Sequence, residues 1–455
     1  MKDLTQGNEG KLILKFAIPM LLGNVFQQLY NVVDSSIVGH FVGKEALSAV
    51  GASFPLLFAL VSLVIGFATG STILIAQFFG AKKIDKVKQT IDTLYIVIFI
   101  TSVIISVVGI VFSGKIFELI ELPAEIIPQA KIYFNIMMLG NIAMFGYNAT
   151  SAILRGLGDS KTPLYFLIIS TVLNIILDLL FVVVFKWGVA GASLATVISY
   201  TIAFVAAIIY LNKTHKLIDI NILKLKFNNS IFIKNLRVGL PSGFQSLFVA
   251  LGMIMLFSIV NRFGTDVIAA YSSALRIDSF AMMPAMNFSI ALTAFVGQNI
   301  GAKKYKRVRR GMIYTIFMTS VISIVFSIII FFFSRPLMLM FTPDSSVIAI
   351  GVEYFTVVSL FYISFSIMFS VNAVFRGAGD TLFPMFITLF ALWAVRVPLA
   401  YFLSMDIEIN SLFNWTSIPV DRMGIWWSIP LGWLSGMILS IIYYFVGRWR
   451  RIKDF

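Results

Sequence analysis

Twelve runs of mainly apolar residues, beginning near residues 13, 46, 91, 131, 163, 189, 236, 267, 311, 348, 383 and 424, constrain this chain more than any other feature. Each holds about 20 residues, enough to cross roughly 30 Å of hydrocarbon as an α-helix. A bilayer core admits only helices or closed barrels, because no water is present there to satisfy a free backbone. Of the 455 residues, 59% are hydrophobic and 12% charged, too little polar surface to cover a water-soluble particle of that size. The expected fold is an all-α polytopic membrane protein of twelve transmembrane helices.

The placement of charge sets the orientation. A formal charge of +14 invites a nucleic-acid reading, but the cations are gathered in alternate loops. Lys82, Lys83, Lys86 and Lys88 follow the second run, and Lys213, Lys216, Lys224, Lys226, Lys234 and Arg237 separate the sixth from the seventh. Lys303, Lys304, Lys306, Arg307, Arg309 and Arg310 follow the eighth, and Arg448, Arg450, Arg451 and Lys453 the twelfth. The remaining loops carry only scattered cations such as Lys44, Lys115, Lys186, Arg262, Arg335 and Arg422. By the positive-inside rule both termini are expected in the cytoplasm, in a plasma (inner) membrane. The lipid bilayer is then a partner and nucleic acid is not. With no cysteine, disulfides and thiolate metal sites are excluded, and with only His40 and His215 as imidazoles a zinc centre is not expected. The first run holds Asn24 and Gln27 and lacks a small-residue cleavage site, so it reads as a retained helix rather than a signal peptide.

The chain repeats itself. EALSAV at 45–50 returns as DVIAAY at 266–271, IAQFFGAKK around Gln77 and Lys83 as VGQNIGAKK around Gln298 and Lys304, KIYF at 131–134 as VEYF at 352–355, and RGLGDSKTP at 155–163 as RGAGDTLFP at 376–384. All four pairs are offset by 221 residues, which predicts two pseudo-symmetric six-helix bundles. The expected domains are residues 1–211, a cytoplasmic linker at 212–235, and residues 236–455. An even number of spans per half gives both halves one orientation in the membrane. Gly188 and Gly424 differ by 236, placing an insertion of about 15 residues, SMDIEINSLFNWTSIPVDR, in the last outer loop. Its Asn414-Trp415-Thr416 triplet reads as a chance glycosylation match.

Within the first run, Asn24, Gln27, Asn31 and Asp34 are spaced by three, four and three, so a helix lines them up as one polar stripe, flanked by Tyr30. The stripe ends in a carboxylate, which is costly in a bilayer unless it faces a protein-lined cavity and meets a proton, a cation or a partner. Asn174 and Asp178 share another helical face; counting ~1.5 Å per residue puts Asp178 ~22 Å from the cytoplasmic end and Thr196 ~12 Å below the outer surface. Asp34, Asn174, Asp178 and Thr196 are thus expected at one depth, an all-oxygen pocket of the kind hard cations prefer. Two carboxylates in one apolar cavity repel unless a proton or Na+ sits between them, and the residues alone do not separate those two. With the 221 offset, Asn174 and Asp178 fall on Val395 and Leu399, so this chemistry is expected in the N-terminal half only. In the C-terminal half Gln245, Arg276 and Arg396 are candidates for a substrate cavity together with Asn24, Gln27, Tyr30 and Asn31. Arg276, Asp278 and Arg396 are intramembrane charges expected to pair or to line that cavity, Glu353 to be solvated near the outer interface, and the two RGxGD turns to cap helices. Nineteen methionines and 44 phenylalanines suit an adaptable apolar cavity as well as lipid contact.

The PMLLGNVFQQLYNVVD opening, the paired QxxGAKK stretches and the paired RGxGD turns resemble the multidrug and toxic compound extrusion (MATE) family along the whole chain. Asp34, Asn174, Asp178 and Thr196 resemble the branch typified by DNA-damage-inducible protein F, whose cation site is in the N-terminal bundle; the other branch places acids where this chain has Gln245 and Arg396. The resemblance implies two bundles around a central cleft, a monomer, no cofactor, and export of small amphiphilic, often cationic, molecules against H+ or Na+. No GxxxxGK[ST] nucleotide loop is present, which leaves an ion gradient as the energy source. A flippase of lipids or lipid-linked saccharides with the same architecture is one alternative, and an intramembrane aspartyl enzyme using Asp34 and Asp178 is a remote one.

Overall fold

The computed structural model describes residues 2–120, 122–214, 224–404, 422–447 and 449. The outer-loop insertion with its Asn414 triplet, much of the expected linker including His215 and Lys216, and Arg448, Arg450, Arg451 and Lys453 lie outside the described residues.

Helices account for all of the regular structure among the described residues. In chain order they are α1 Glu9–Phe41, α2 Lys44–Gly80, α3 Ile84–Leu119, α4 Ile127–Leu139, α5 Asn141–Gly156, α6 Lys161–Asp178, α7 Gly188–Thr214, α8 Asn229–Val260, α9 Thr265–Gly301, α10 Tyr305–Leu339, α11 Ser345–Val358, α12 Tyr362–Ala378, α13 Leu382–Leu389, α14 Val397–Leu403 and α15 Arg422–Val446. Two π-helical segments continue helices without a break, Leu179–Val184 directly after α6 and Phe390–Arg396 between α13 and α14. Eleven helical stretches among the described residues are long and apolar enough to cross a membrane. The fourth expected span is the pair α4 and α5, which part at Gly140. A Cβ on Gly140 would overlap the Val197 side chain of α7, so the glycine admits a neighbouring helix at the point where the span bends.

The chain packs as two compact units. Unit 1 comprises Met1–Thr5, Lys15–Gly243 and Gly301–Lys303; unit 2 comprises Gln6–Leu14, Phe244–Ile300 and Lys304–Phe455. The sequence repeat is written into the backbone at the same offset of 221 residues. Gly43 and Gly264 (φ 115° and 93°), Lys82 and Lys303 (φ 58° and 59°), and Gly158 and Gly379 (φ 83° and 90°) form three matched positive-φ turns. Thr72 donates to the Ala152 carbonyl at 3.0 Å and Thr293 to that of Ala373 at 3.4 Å. In each RGxGD turn the aspartate accepts from the start of the next helix, Asp159 from the Thr162 amide at 3.1 Å and Asp380 from Phe383 at 3.4 Å, as expected for a cap.

Unit 1 is held together in part by close backbone approach. A Cβ on Gly66 of α2 would meet Gly243 Cα of α8 at 2.6 Å, and one on Gly239 would meet the Gly66 carbonyl oxygen at 2.7 Å. Gly66 with Gly70 and Gly239 with Gly243 thus make a small-xxx-small crossing, reinforced by the Asn235 amide donating to Ser71 at 2.5 Å. The core of unit 2 centres on large buried aromatic side chains, Tyr271, Tyr354, Phe355, Tyr362 and Trp426. In this unit Arg307 pairs with Glu9 at 3.2 Å. Glu353, expected to be merely solvated, instead receives two hydrogen bonds from Arg422, each 2.9 Å, because a planar guanidinium fits a carboxylate with both its forks.

Candidate cation-coupling site

Unit 1 brings Asp34, Asn174, Asp178 and Thr196 together from α1, α6 and α7, and buries all four. Asp34 ends the polar stripe of α1, which grades from half-buried Asn24 and Tyr30 through exposed Gln27 and Asn31 to the buried acid. Asp178 is the last residue of α6 before the π-helical segment Leu179–Val184. Such widened turns recur at functional sites, because they present a side chain and backbone out of α-helical register.

The two carboxyl groups lie side by side, yet Oδ1 of each is buried and meets no hydrogen-bond donor. Turned so that Nδ2 faces Asp178, the Asn174 amide donates to Asp178 Oδ2 at 2.9 Å and its oxygen accepts from the Thr196 backbone amide at 3.2 Å. That orientation leaves neither end of the amide facing its own kind. The Thr196 hydroxyl is 3.0 Å from the Tyr30 hydroxyl, and Tyr133 lies near both acids. Two buried carboxyl groups in contact, each with an oxygen that meets no donor, need a proton or a cation to hold them, since buried acceptors are otherwise strongly penalised.

A small cavity adjoins Asn174 and Thr196, lined by Tyr30, Leu167, Ser170, Thr171, Asn174, Thr196, Ser199 and Tyr200. Most of these liners carry a hydroxyl or an amide, and the space suits about one water molecule. Ser170, Thr171, Ser199 and Tyr200 are absent from the residues singled out by sequence. A signal was available: Ser170 and Thr171 precede Asn174 by four and three positions, and Ser199 and Tyr200 follow Thr196 by three and four, so each pair shares a helical face with a candidate. Among the described residues no cluster of three or more His, Cys, Asp or Glu side chains exists. Two carboxylates with one hydroxyl suit a proton or a monovalent cation better than a divalent metal.

The C-terminal candidates are not gathered in this way. Gln245 donates to Thr388 at 2.7 Å and Arg276 is exposed on α9. Of the two expected alternatives for these charges, pairing or lining a cavity, no ion pair joins Arg276 or Arg396 to Asp278 among the described residues; Arg396 is hydrogen-bonded to the Tyr271 hydroxyl. Asp278 instead accepts from the hydroxyls of Tyr354 and Tyr362, one on each oxygen.

The MatE family model matches residues 19–180 and 241–402, one stretch in each repeat. The Bacillus subtilis (strain 168) protein called probable multidrug resistance protein YoeA is 33% identical, over 94% of this chain and 92% of its own. Probable multidrug resistance protein YpnP of the same strain is 32% identical, over 100% and 98%. A crystal structure of MATE in the bent conformation superposes with a TM-score of 0.88 at 25% identity, over 99% of this chain and 96% of that one. Matched in both repeats, by relatives a third identical along nearly its whole length, the chain belongs to the MatE family.

Proposed function

We propose that this protein is a secondary multidrug antiporter of the plasma membrane, working as a monomer with both termini in the cytoplasm. It exports small amphiphilic, often cationic, compounds by alternating access while protons flow inward, and it neither transforms its substrate nor holds a cofactor. The observation that carries this reading is the pair of buried acids, Asp34 and Asp178, in mutual contact with Oδ1 of each left without a donor. Turned as a donor, the Asn174 amide completes one flank of the pair, an arrangement that suits a proton shared by the two acids. The names of the Bacillus relatives support drugs as cargo. Asn24, Gln27, Tyr30 and Asn31, with Gln245, Arg276 and Arg396, are the residues we assign to contact it.

The test is efflux of a fluorescent cation from proteoliposomes under an imposed pH gradient or, separately, an imposed Na+ gradient. The expected result is efflux with the pH gradient alone, abolished in Asp34→Asn and in Asp178→Asn. Efflux driven only by Na+ would overturn the proton assignment, and efflux that survives both substitutions would overturn the site.

A further inference from the structure

The exposed apolar face of α10 ends in three cations that the protein leaves unanswered. At about 3.6 residues per turn, Lys306 and Arg310 fall on one line with Ile313, Phe317, Ile324 and Ile328, and Arg309 flanks it. The four apolar side chains are exposed, and so are the three cations. The opposite face packs inward through buried Val308, Met312 and Thr315. Arg307 leaves the helix on another side and is already engaged, by Glu9 at 3.2 Å, the Gly7 carbonyl at 2.8 Å and Asn299 at 3.1 Å. The side chains of Lys306, Arg309 and Arg310 enter no ion pair or hydrogen bond among the described residues.

The matching place in unit 1 is built differently. With the 221-residue offset, Asp85, Lys88 and Gln89 of α3 stand where unit 2 has Lys306, Arg309 and Arg310, and Asp92 and Thr93 where it has Ile313 and Tyr314. There the chain covers its own helix. The Asn228 side chain donates to Gln89 at 3.1 Å and its backbone amide to Thr93 at 3.2 Å, while the Lys226 amide points at Asp92 Oδ2 from 3.5 Å. A segment bearing Lys224 and Lys226 thus lies against a helix start bearing Asp85 and Asp92. Unit 2 has cations on the same surface and leaves it open among the described residues. Orientation in the membrane does not demand them, since unit 1 has an acid and an amide at two of the three positions. We propose that Lys306, Arg309 and Arg310 hold the phosphate of an anionic phospholipid whose acyl chains lie along Ile313, Phe317, Ile324 and Ile328. A guanidinium fork matches phosphate in shape and charge, and each cation at a membrane surface adds about fivefold in affinity for anionic lipid. A lipid, unlike a soluble anion, carries on its phosphate the chains that cover the apolar line below. The inference goes beyond the transport reading and stands or falls without it.

Purified full-length protein in detergent is offered equal amounts of phosphatidylglycerol and phosphatidylcholine with identical acyl chains, and the lipid retained is counted by native mass spectrometry. The expected result is a preference of wild type for phosphatidylglycerol that falls about tenfold or more when Lys306→Gln, Arg309→Gln and Arg310→Gln are combined. Lys82→Gln, Lys83→Gln and Lys88→Gln combined remove as much charge from unit 1 and should leave the preference within about twofold of wild type. An unchanged preference in the unit 2 variant would overturn the proposal, and so would an equal fall in both, which would reduce the effect to net charge. If the unit 2 triple variant does not fold, Arg309→Gln alone decides, with an expected fall of about fivefold. Displacement of phosphatidylglycerol by an equal concentration of soluble glycerophosphoglycerol, which has the headgroup and no chains, would assign the cations to a soluble anion and overturn the lipid. Efflux from proteoliposomes, measured separately, bears on the transport reading alone.

Discussion

Asp34 and Asp178 in unit 1 and Asp278 in unit 2 are the same chemical group at similar burial, 7%, 0% and 3% exposed, yet their surroundings leave them with different tasks. Each oxygen of Asp278 accepts from a tyrosine hydroxyl. The unit 1 acids contact each other with an oxygen apiece left over, and only Asp178 Oδ2 receives a donor, from the Asn174 amide. Burial alone therefore does not mark an intramembrane acid as functional. What distinguishes the two regions is whether the protein itself completes the hydrogen bonding of the carboxylate or leaves part of it for a mobile species.

Substitutions can break that contrast. The largest effect is expected at the unit 1 pair: Asp34→Asn or Asp178→Asn should lower gradient-driven efflux by two orders of magnitude or more while the thermal midpoint holds or rises, since an uncompensated buried acid is removed. Asp278→Asn should do the reverse, keeping gradient coupling and lowering the midpoint by several degrees. Loss of coupling in Asp278→Asn would erase the distinction between the units. Next in size, Tyr354→Phe and Tyr362→Phe should each cost about 1.5 to 3 kcal/mol, the worth of a hydrogen bond to a charged group, read from thermal unfolding in detergent. A smaller change is expected from Asn174→Ala, which strips the donor from Asp178 Oδ2; apparent affinity for the coupling ion should fall about tenfold, as for other groups that orient a ligand from behind. Smallest of all, Tyr30→Phe removes a single hydroxyl contact with Thr196 and should shift the same affinity only a few-fold, about 0.5 to 1.5 kcal/mol. If Tyr30→Phe matched the aspartate variants, the hydroxyls would belong to the ion's own coordination rather than to its frame.

The unit 1 site is largely legible in the sequence, because carboxylates and an asparagine in apolar helices at helical spacing stand out against their background. Its hydroxyl lining is not, since Ser170, Thr171 and Ser199 resemble the many serines and threonines that simply bond back to their own helix, as Ser193 and Thr201 do here. The unit 2 cluster is misread for a related reason. Charge alone leaves Arg276, Asp278 and Arg396 free to pair or to line a cavity, whereas the groups that satisfy Asp278 are tyrosines 76 and 84 residues away that read as apolar bulk. Helix positions follow the hydropathy closely, whereas the compact units divide inside α8 after Gly243 and take Gln6–Leu14 into unit 2. The bend at Gly140 and the two π-helical segments leave no trace in periodicity: the first depends on where Val197 approaches, and the others keep the apolar run unbroken.

The crossing of α2 and α8 in unit 1 carries an implication for how such a protein can evolve. At Gly66 and Gly239 an added methyl group meets backbone atoms of the opposite helix at 2.6 and 2.7 Å, and backbone cannot turn aside. At Gly252, further along the same α8, the obstacle is the end of the Leu392 side chain, which can rotate away. The crossing therefore admits no larger residue at Gly66 or Gly239 unless a whole helix moves, whereas a substitution at Gly252 asks only that a side chain shift.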